Sequence, residues 1–430
     1  MKRFAMTPNA TDAPHAPVHE TVSLVSMFKH GVVDANGAPA GRLEDVVAVL
    51  RDNDYPLLKG LLVGSGPVFV PMADVIEIKP DGAVRIAAGE RRPFSQEAGE
   101  TLLKAEMLGR RLVDLPRGVL VKAHDVRFDA TPSGWRMVSV DVHKHSWLHF
   151  GSHEHHPARD WHDFLPLTRD AAQARSTSSL GRIEALKPAQ IADIIERAPS
   201  QEQDVLLALV HTDPSLEANV FEELDDDKQA QLLKSRNDDE VADVLSRMRA
   251  DDAADAIMEL PQERRQNVLD RLPTATKMKV SMLLGFNSAT AGGLMGADFL
   301  AVPEDRTIGD ALEQLRTLTT VQPEALVTIH SLNADGALAG TLSVVRALQL
   351  SPSTLLRDAV DARAIVASPD DDIIAVTTRM ADFNLLSLPV VDAEGKLLGL
   401  VTVDDALEAA IPQDWARREG ASGSPQRRLG

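Results

Sequence analysis

Leu388-Pro-Val-Val-Asp392, then a turn closing at Gly395, then Leu397-Leu-Gly-Leu-Val-Thr-Val-Asp-Asp405 decide how the C-terminal third of the chain folds. Two short apolar runs flank an Asp/Gly turn, and acids open the stretch that follows. That order predicts strand, turn, strand and a helix over 404–410. Upstream, 364–367 predicts a strand and 372–382 a helix. The same order occurs earlier: strand 299–302, helix 308–318, strand 325–330, turn 333–336, strand 339–343 and a short helix. The spacing of about 60 residues marks a tandem α/β repeat.

Ahead of it, helix-start signals recur every 11–14 residues: Lys187-Pro188, Pro199-Ser200, Asp213-Pro214, Asp225, Asn237-Asp238, Asp251, Pro261 and Pro273. Apolar residues follow at helical spacing, as in Ile191, Ile194 and Ile195, or Val241, Val244, Leu245 and Met248. Helices this short are marginal alone, so the run predicts an α-helical superhelix of about eight stacked helices.

The N-terminal part is β-rich. Between 21 and 90, short apolar runs alternate with turn signals such as Asn36-Gly37 and Asp81-Gly82. A second copy of that pattern covers about 100–145. Residues 143–162 hold seven of the 13 histidines: His143, His145, His149, His153, His155, His156 and His162. Imidazoles at such density suit a transition metal, yet no regular ligand spacing recurs. Residues 1–20, 169–182 and 413–430 read as an arm, a linker and a tail.

Composition narrows the function. The net charge is −19, and it sits in the last two thirds: −9 over 180–290 and −11 over 291–412. Such a chain is no general binder of nucleic acid. It has no cysteine, which excludes thiol nucleophiles, Cys-zinc sites and iron–sulfur clusters. The longest charge-free run, 280–297, carries four glycines and several polar residues, so no direct membrane span is expected. No secretory signal is present, and the expected location is cytoplasmic. No P-loop, Gly-x-Ser-x-Gly or His-Glu-x-x-His motif occurs, and the reading is not an enzyme.

Three resemblances organise these parts. The pattern at 21–90 and 100–168 resembles tandem PRC-barrel domains, which are usually docking modules. The repeat over 294–352 and 355–412 resembles a pair of CBS domains. Thr290-Ala-Gly-Gly-Leu-Met295 followed by Phe299-Leu-Ala-Val-Pro-Glu-Asp305 closely resembles the cytosolic half of MgtE magnesium channels. So do Leu186-Lys-Pro-Ala-Gln-Ile-Ala-Asp-Ile-Ile195 and Ala250-Asp-Asp-Ala-Ala-Asp255. That half is a helical superhelix, here 183–290, followed by two CBS domains. The expected fold class is therefore multidomain α+β: two small β-barrels, a helical solenoid and a tandem α/β CBS pair. MgtE proteins continue into a membrane pore, and this chain stops soon after Glu408. The resemblance implies the sensor without its channel.

Candidate sites follow. Asp251, Asp252 and Asp255 form an acidic face on one solenoid helix; Asp405 and Glu408 are spaced to share a face of another. The resemblance places Asp372, the backbone carbonyl of Ala381, Asp405 and Glu408 where MgtE has metal-site groups. Ile374 and Asn384 stand where it would have carboxylates. CBS pairs also bind ATP or AMP, and Gly399, Thr402 and Asp405 fit their Gly-x-x-Thr-x-x-Asp pattern. The first repeat has Gly340, Ser343 and Arg346 there, with a base in place of the acid. The expected function is a Mg²⁺-sensing regulatory protein, homodimeric through its CBS domains, that acts on a membrane divalent-cation transporter. The alternative is an adenine-nucleotide-binding CBS adaptor.

Overall fold

The computed structural model describes residues 21–411 except 52–53, 65–67, 90, 98, 133, 143–157, 168–180, 320 and 322. The arm, the tail, most of the linker and all the clustered histidines but His162 lie outside the described residues. The chain forms two compact units, residues 1–224 and 225–430, that divide inside the helical run.

In the first unit, the two β-rich segments share one twelve-stranded, nearly closed sheet. Its main path places Val22–Ser23 next to Asp125–Thr131, then Gly134–Asp141, Leu57–Val63, Pro39–Val49, Gly31–Val33, Val84–Ile86 and Val75–Ile78. One apolar core takes Leu24, Met27, Val46 and Leu61 from the first segment. It takes Leu103, Met107, Phe128 and Phe164 from the second. The expected pair of separate small barrels is thus a single body.

The reason is an exchange. Residues eighty apart match: Met27 with Met107, Val33 with Val113, Asp34 with Asp114, Asp45 with Asp125 and Val46 with Val126. Val22–Ser23 of the first copy pairs with Phe128 and Arg127 of the second. Glu100–Leu102 of the second copy pairs with Val47–Val49 of the first. Each copy's buried aspartate then holds the other's turn. Asp45 accepts from the amides of Lys104 at 2.7 Å and Ala105 at 3.1 Å. Asp125 accepts from the Val25 amide at 3.0 Å and the Ser23 hydroxyl at 2.5 Å. These carboxylates bond amides that an isolated turn would leave without partners. They explain why 22–28 and 100–107 are strands for only two or three residues and then coil into Leu24–Met27 and Leu103–Met107.

All eight expected helices form. Pro188–Arg197, Ser200–Val210 and Pro214–Glu222 belong to the first unit. Asp226–Lys234, Asp238–Leu245, Ala250–Glu259, Gln262–Arg271 and Thr274–Leu283 belong to the second. The starts are chemical: Asp213 accepts from Ser215 and Leu216, and Asn237 from Asp239 and Glu240, with Glu240 returning the bond. Ile191, Ile194, Ile195, Val241, Val244, Leu245 and Met248 are all buried.

The α/β repeat completes the second unit. Leu300–Pro303 runs parallel to Thr328–Leu332, which pairs antiparallel with Leu338–Ser343. Ile308–Thr317 packs on the parallel pair. The later copy has Ile373–Phe383, the hairpin Ser387–Val391 with Leu397–Thr402, and Val403–Ala410. Its expected first strand at 364–367 is reduced to a single bridge between Ala367 and Val390. The expected strand at 325–330 starts later, because Pro323–Leu326 forms a 3₁₀ turn. Among the described residues, no helix is long and apolar enough to cross a membrane.

Candidate functional site

The second unit brings the acids of Ala250–Glu259 against the start of Val403–Ala410. Asp251 and Asp252 lie in the first turn of one helix, Asp405 in the first turn of the other. Arg249 joins them. Its Nε lies 2.6 Å from an oxygen of Asp252, and its Nη1 lies 2.7 Å from an oxygen of Asp405. The Asp405 side chain is only 12% exposed. The Thr402 hydroxyl donates to its other oxygen.

Asp251 is half-buried beside this pair. Burial raises its carboxyl pKa; the Arg249 charge opposes that rise and the Asp405 charge adds to it. Asp255, one turn on, keeps an open edge to solvent. The protein around its carboxyl nevertheless pushes it up to about 6, first by burial and then by the charges of Asp251, Asp226 and Glu259. Ionising these groups together is unfavourable. A cation placed among them would relieve that repulsion, and hard oxygen donors of this kind suit Mg²⁺ or Ca²⁺.

The other expected site residues separate. Glu408 is exposed and shares no bond with Asp405, which turns inward. Asp372 caps the start of Ile373–Phe383 by accepting from the Ala375 amide at 2.8 Å. The Ala381 carbonyl lies near the other end and accepts from the Asn384 amide at 3.3 Å. Nine residues of helix span about 13 Å, so Asp372 and Ala381 are too far apart to ligate one ion. Asn384 closes that helix in the left-handed conformation, φ 52°. Among the described residues, no three His, Asp or Glu side chains are already poised around one point.

The nucleotide-type residues have structural roles. A Cβ on Gly399 would lie 2.6 Å from the Gly296 carbonyl oxygen and 2.8 Å from Met295 Cγ. The glycine lets the 290–296 segment lie against the hairpin, where Gly296 and Leu400 exchange backbone bonds of 2.8 and 3.0 Å. Thr402 is buried and bonded to Asp405. In the first repeat, Gly340 faces the Asp361 carbonyl as closely, and Ser343 caps the Arg346 amide. Gly399→Ala is expected to cost about 2 kcal/mol of stability, because the neighbour is backbone and cannot yield. Urea unfolding with and without ATP checks it. An unfolding midpoint equal to that of the parent chain would show the contact to be slack.

Arg249 is the residue that sequence reasoning missed. Its signal was an arginine at the position before a helix, where Ser, Thr, Asp or Asn would cap the amides.

Comparison with known proteins places these parts. Residues 186–289 match the MgtE intracellular N domain, and residues 350–411 match the CBS domain. The magnesium transporter MgtE of Thermus thermophilus is 34% identical over 143 residues, which is 33% of this chain and 32% of that protein. The magnesium transporter MgtE of Enterococcus faecalis is 26% identical over 145 residues, 34% of this chain and 32% of that one. The match thus spans about a third of the length of these curated relatives. A crystal structure of the cytosolic domain of the Mg²⁺ channel MgtE in complex with ATP superposes with a TM-score of 0.51 at 28% identity. It covers 56% of this chain and 97% of its own. The soluble part of a magnesium transporter shares the fold, with a TM-score of 0.50 at 20% identity over 59% of this chain and 97% of its own.

Proposed function

We propose that this protein, which carries an MgtE-type intracellular N domain and CBS-type repeats, is a divalent-cation-responsive regulator whose natural cation is Mg²⁺. The observation that carries the reading is the convergence of Asp251, Asp252 and Asp405, with Asp255 one turn away, from two segments far apart in sequence. Carboxylates so placed repel when bare and draw together around a cation, often through retained waters. Occupancy then shifts the balance between open and closed arrangements of the second unit. The output is control of a membrane divalent-cation transporter from the cytoplasmic side, without catalysis.

A homodimer fits the same unit. Ile374, at 77% exposed, and Phe383 on Ile373–Phe383, Leu407 on Val403–Ala410, and Leu386 and Ile411 just beyond those helices are exposed apolar side chains of the second CBS repeat. Val345 and Leu348 lie on the corresponding helix of the first. Exposed apolar side chains in such number are what a second copy would cover.

The ATP bound to the solved MgtE relative favours a second reading, an adenine-nucleotide-responsive adaptor using Gly399, Thr402 and Asp405. Thermal melting separates the two. Millimolar Mg²⁺ without nucleotide is expected to raise the melting temperature of the second unit by several degrees, since a ligand at a hundred times its Kd adds about 2.7 kcal/mol. In Asp251→Asn/Asp255→Asn, the gain is expected to disappear. A shift with ATP and none with Mg²⁺ would favour the adaptor. An undiminished Mg²⁺ shift in the double variant would remove these acids from the site.

A further inference from the structure

Arg249 occupies a place that local chemistry disfavours. It directly precedes Ala250–Glu259 and makes no side-chain cap bond there. A positive charge at a helix N-terminus is opposed by the helix dipole. What the residue gains is a local bond and a distant one: its guanidinium bonds Asp252, three residues ahead, and, across the fold, Asp405, 156 residues ahead, at 2.6 and 2.7 Å. A planar fork suits two carboxylates at once, as an ammonium does not. The same guanidinium opposes the repulsion at Asp251.

We propose that Arg249 is a tethered cation that holds the helical segment to the second CBS repeat without metal, doing here what a divalent ion does between bare carboxylates. Asp405 is fixed from both sides, by Arg249 and by Thr402. An ion that uses Asp405 must displace the guanidinium from it. Arg249 therefore biases the contact toward the closed arrangement at low divalent concentration and sets how much ion is needed to complete the shift. The inference rests in part on the cation-responsive reading above, and the test separates the two.

Limited proteolysis of the full chain, in EDTA and in millimolar MgCl₂, reads the opening of the 245–262 and 400–411 segments. The parent chain is expected to be largely protected in EDTA and fully protected in MgCl₂. Arg249→Gln is expected to be cleaved roughly tenfold faster in EDTA, since cleavage follows the population of the open form, and to regain protection in MgCl₂. Arg249→Lys keeps the charge but not the fork and is expected to fall between them. It carries the test by itself if circular dichroism shows Arg249→Gln unfolded. Equal cleavage of variants and parent in EDTA would overturn the inference. So would a parent chain as open in EDTA as Arg249→Gln; if MgCl₂ then closed both, the cation-responsive reading would survive alone. If Arg249→Gln opens and MgCl₂ does not close it, the tether stands and the divalent reading fails.

Discussion

Replacing Arg159 by alanine is expected to destabilise the first unit by about 3–5 kcal/mol, the range for removing one partner of a buried ion pair. Asp114 is fully buried at the end of Arg111–Asp114, a strand paired on both sides. Arg159 approaches it with two nitrogens; Nη2 lies 3.0 Å from Oδ1, and Nη1 bonds the other oxygen. Arg159 also bonds Asp163 at 3.0 Å and lies over the Phe164 ring at 4.9 Å. The nearest substitute, Arg117, is 3.7 Å away with a side chain 60% exposed. Without Arg159 the carboxylate must take up a proton or admit water, and either loosens the strand. Trp161 is buried close by in sequence, so fluorescence-detected urea unfolding reports the change. Asp114→Asn/Arg159→Ala should lose less than Arg159→Ala, because no charge is stranded. A loss below about 1 kcal/mol in the single variant would mean that the pair is already hydrated.

The second large effect is acid sensitivity at His330. This imidazole lies wholly inside the second unit, on Thr328–Leu332. Its Nδ1 is 3.2 Å from the Leu300 carbonyl oxygen, its Nε2 is buried without a partner, and Phe299 meets the ring edge-on at 6.4 Å. Burial pushes its pKa from 6.5 down to about 4. Between those values the unfolded chain binds the proton and the folded chain does not. Stability therefore falls as pH drops through that window, by about 2–3 kcal/mol between pH 7 and 4.5. His330→Phe is expected to be within about 1 kcal/mol of the parent chain at pH 7, since it removes an unpaired polar atom from an apolar site. At pH 4.5 it should be the more stable protein. Calorimetric melts at both pH values check this, read as the difference between the two proteins so that other titrating groups cancel. Parallel pH profiles would show that His330 gains a proton partner in the folded state.

Local chemistry made much of the fold legible. Seven of the eight solenoid helices start where a proline, aspartate or asparagine announced it, because capping and the fixed φ of proline act over three or four residues; Ala250–Glu259 starts behind Arg249 instead. The hairpin from Ser387 to Thr402 forms where alternating apolar runs flank Asp392 and Gly395, with Asp392 accepting from the Glu394 and Lys396 amides. The candidate site was legible only in part. Asp251, Asp252 and Asp405 could be named from acidic helix starts. That they meet, that Arg249 joins them, and that Glu408 points away depend on how two helices pack.

Asp34 and Asp114 show where sequence stops. They stand at the same position of the two eighty-residue copies. Asp34 accepts from the Asn36 and Ala38 amides on an exposed turn, whereas Asp114 is a buried partner of Arg159. The residue type and its neighbours set the helices, the turns and the acidic character, because those effects decay within a few residues. The exchange of strands between copies, the Arg249 bridge and the protonation of His330 came from the tertiary structure. Dielectric, reach and repulsion depend on which distant segments share a space, and spacing along the chain does not encode that.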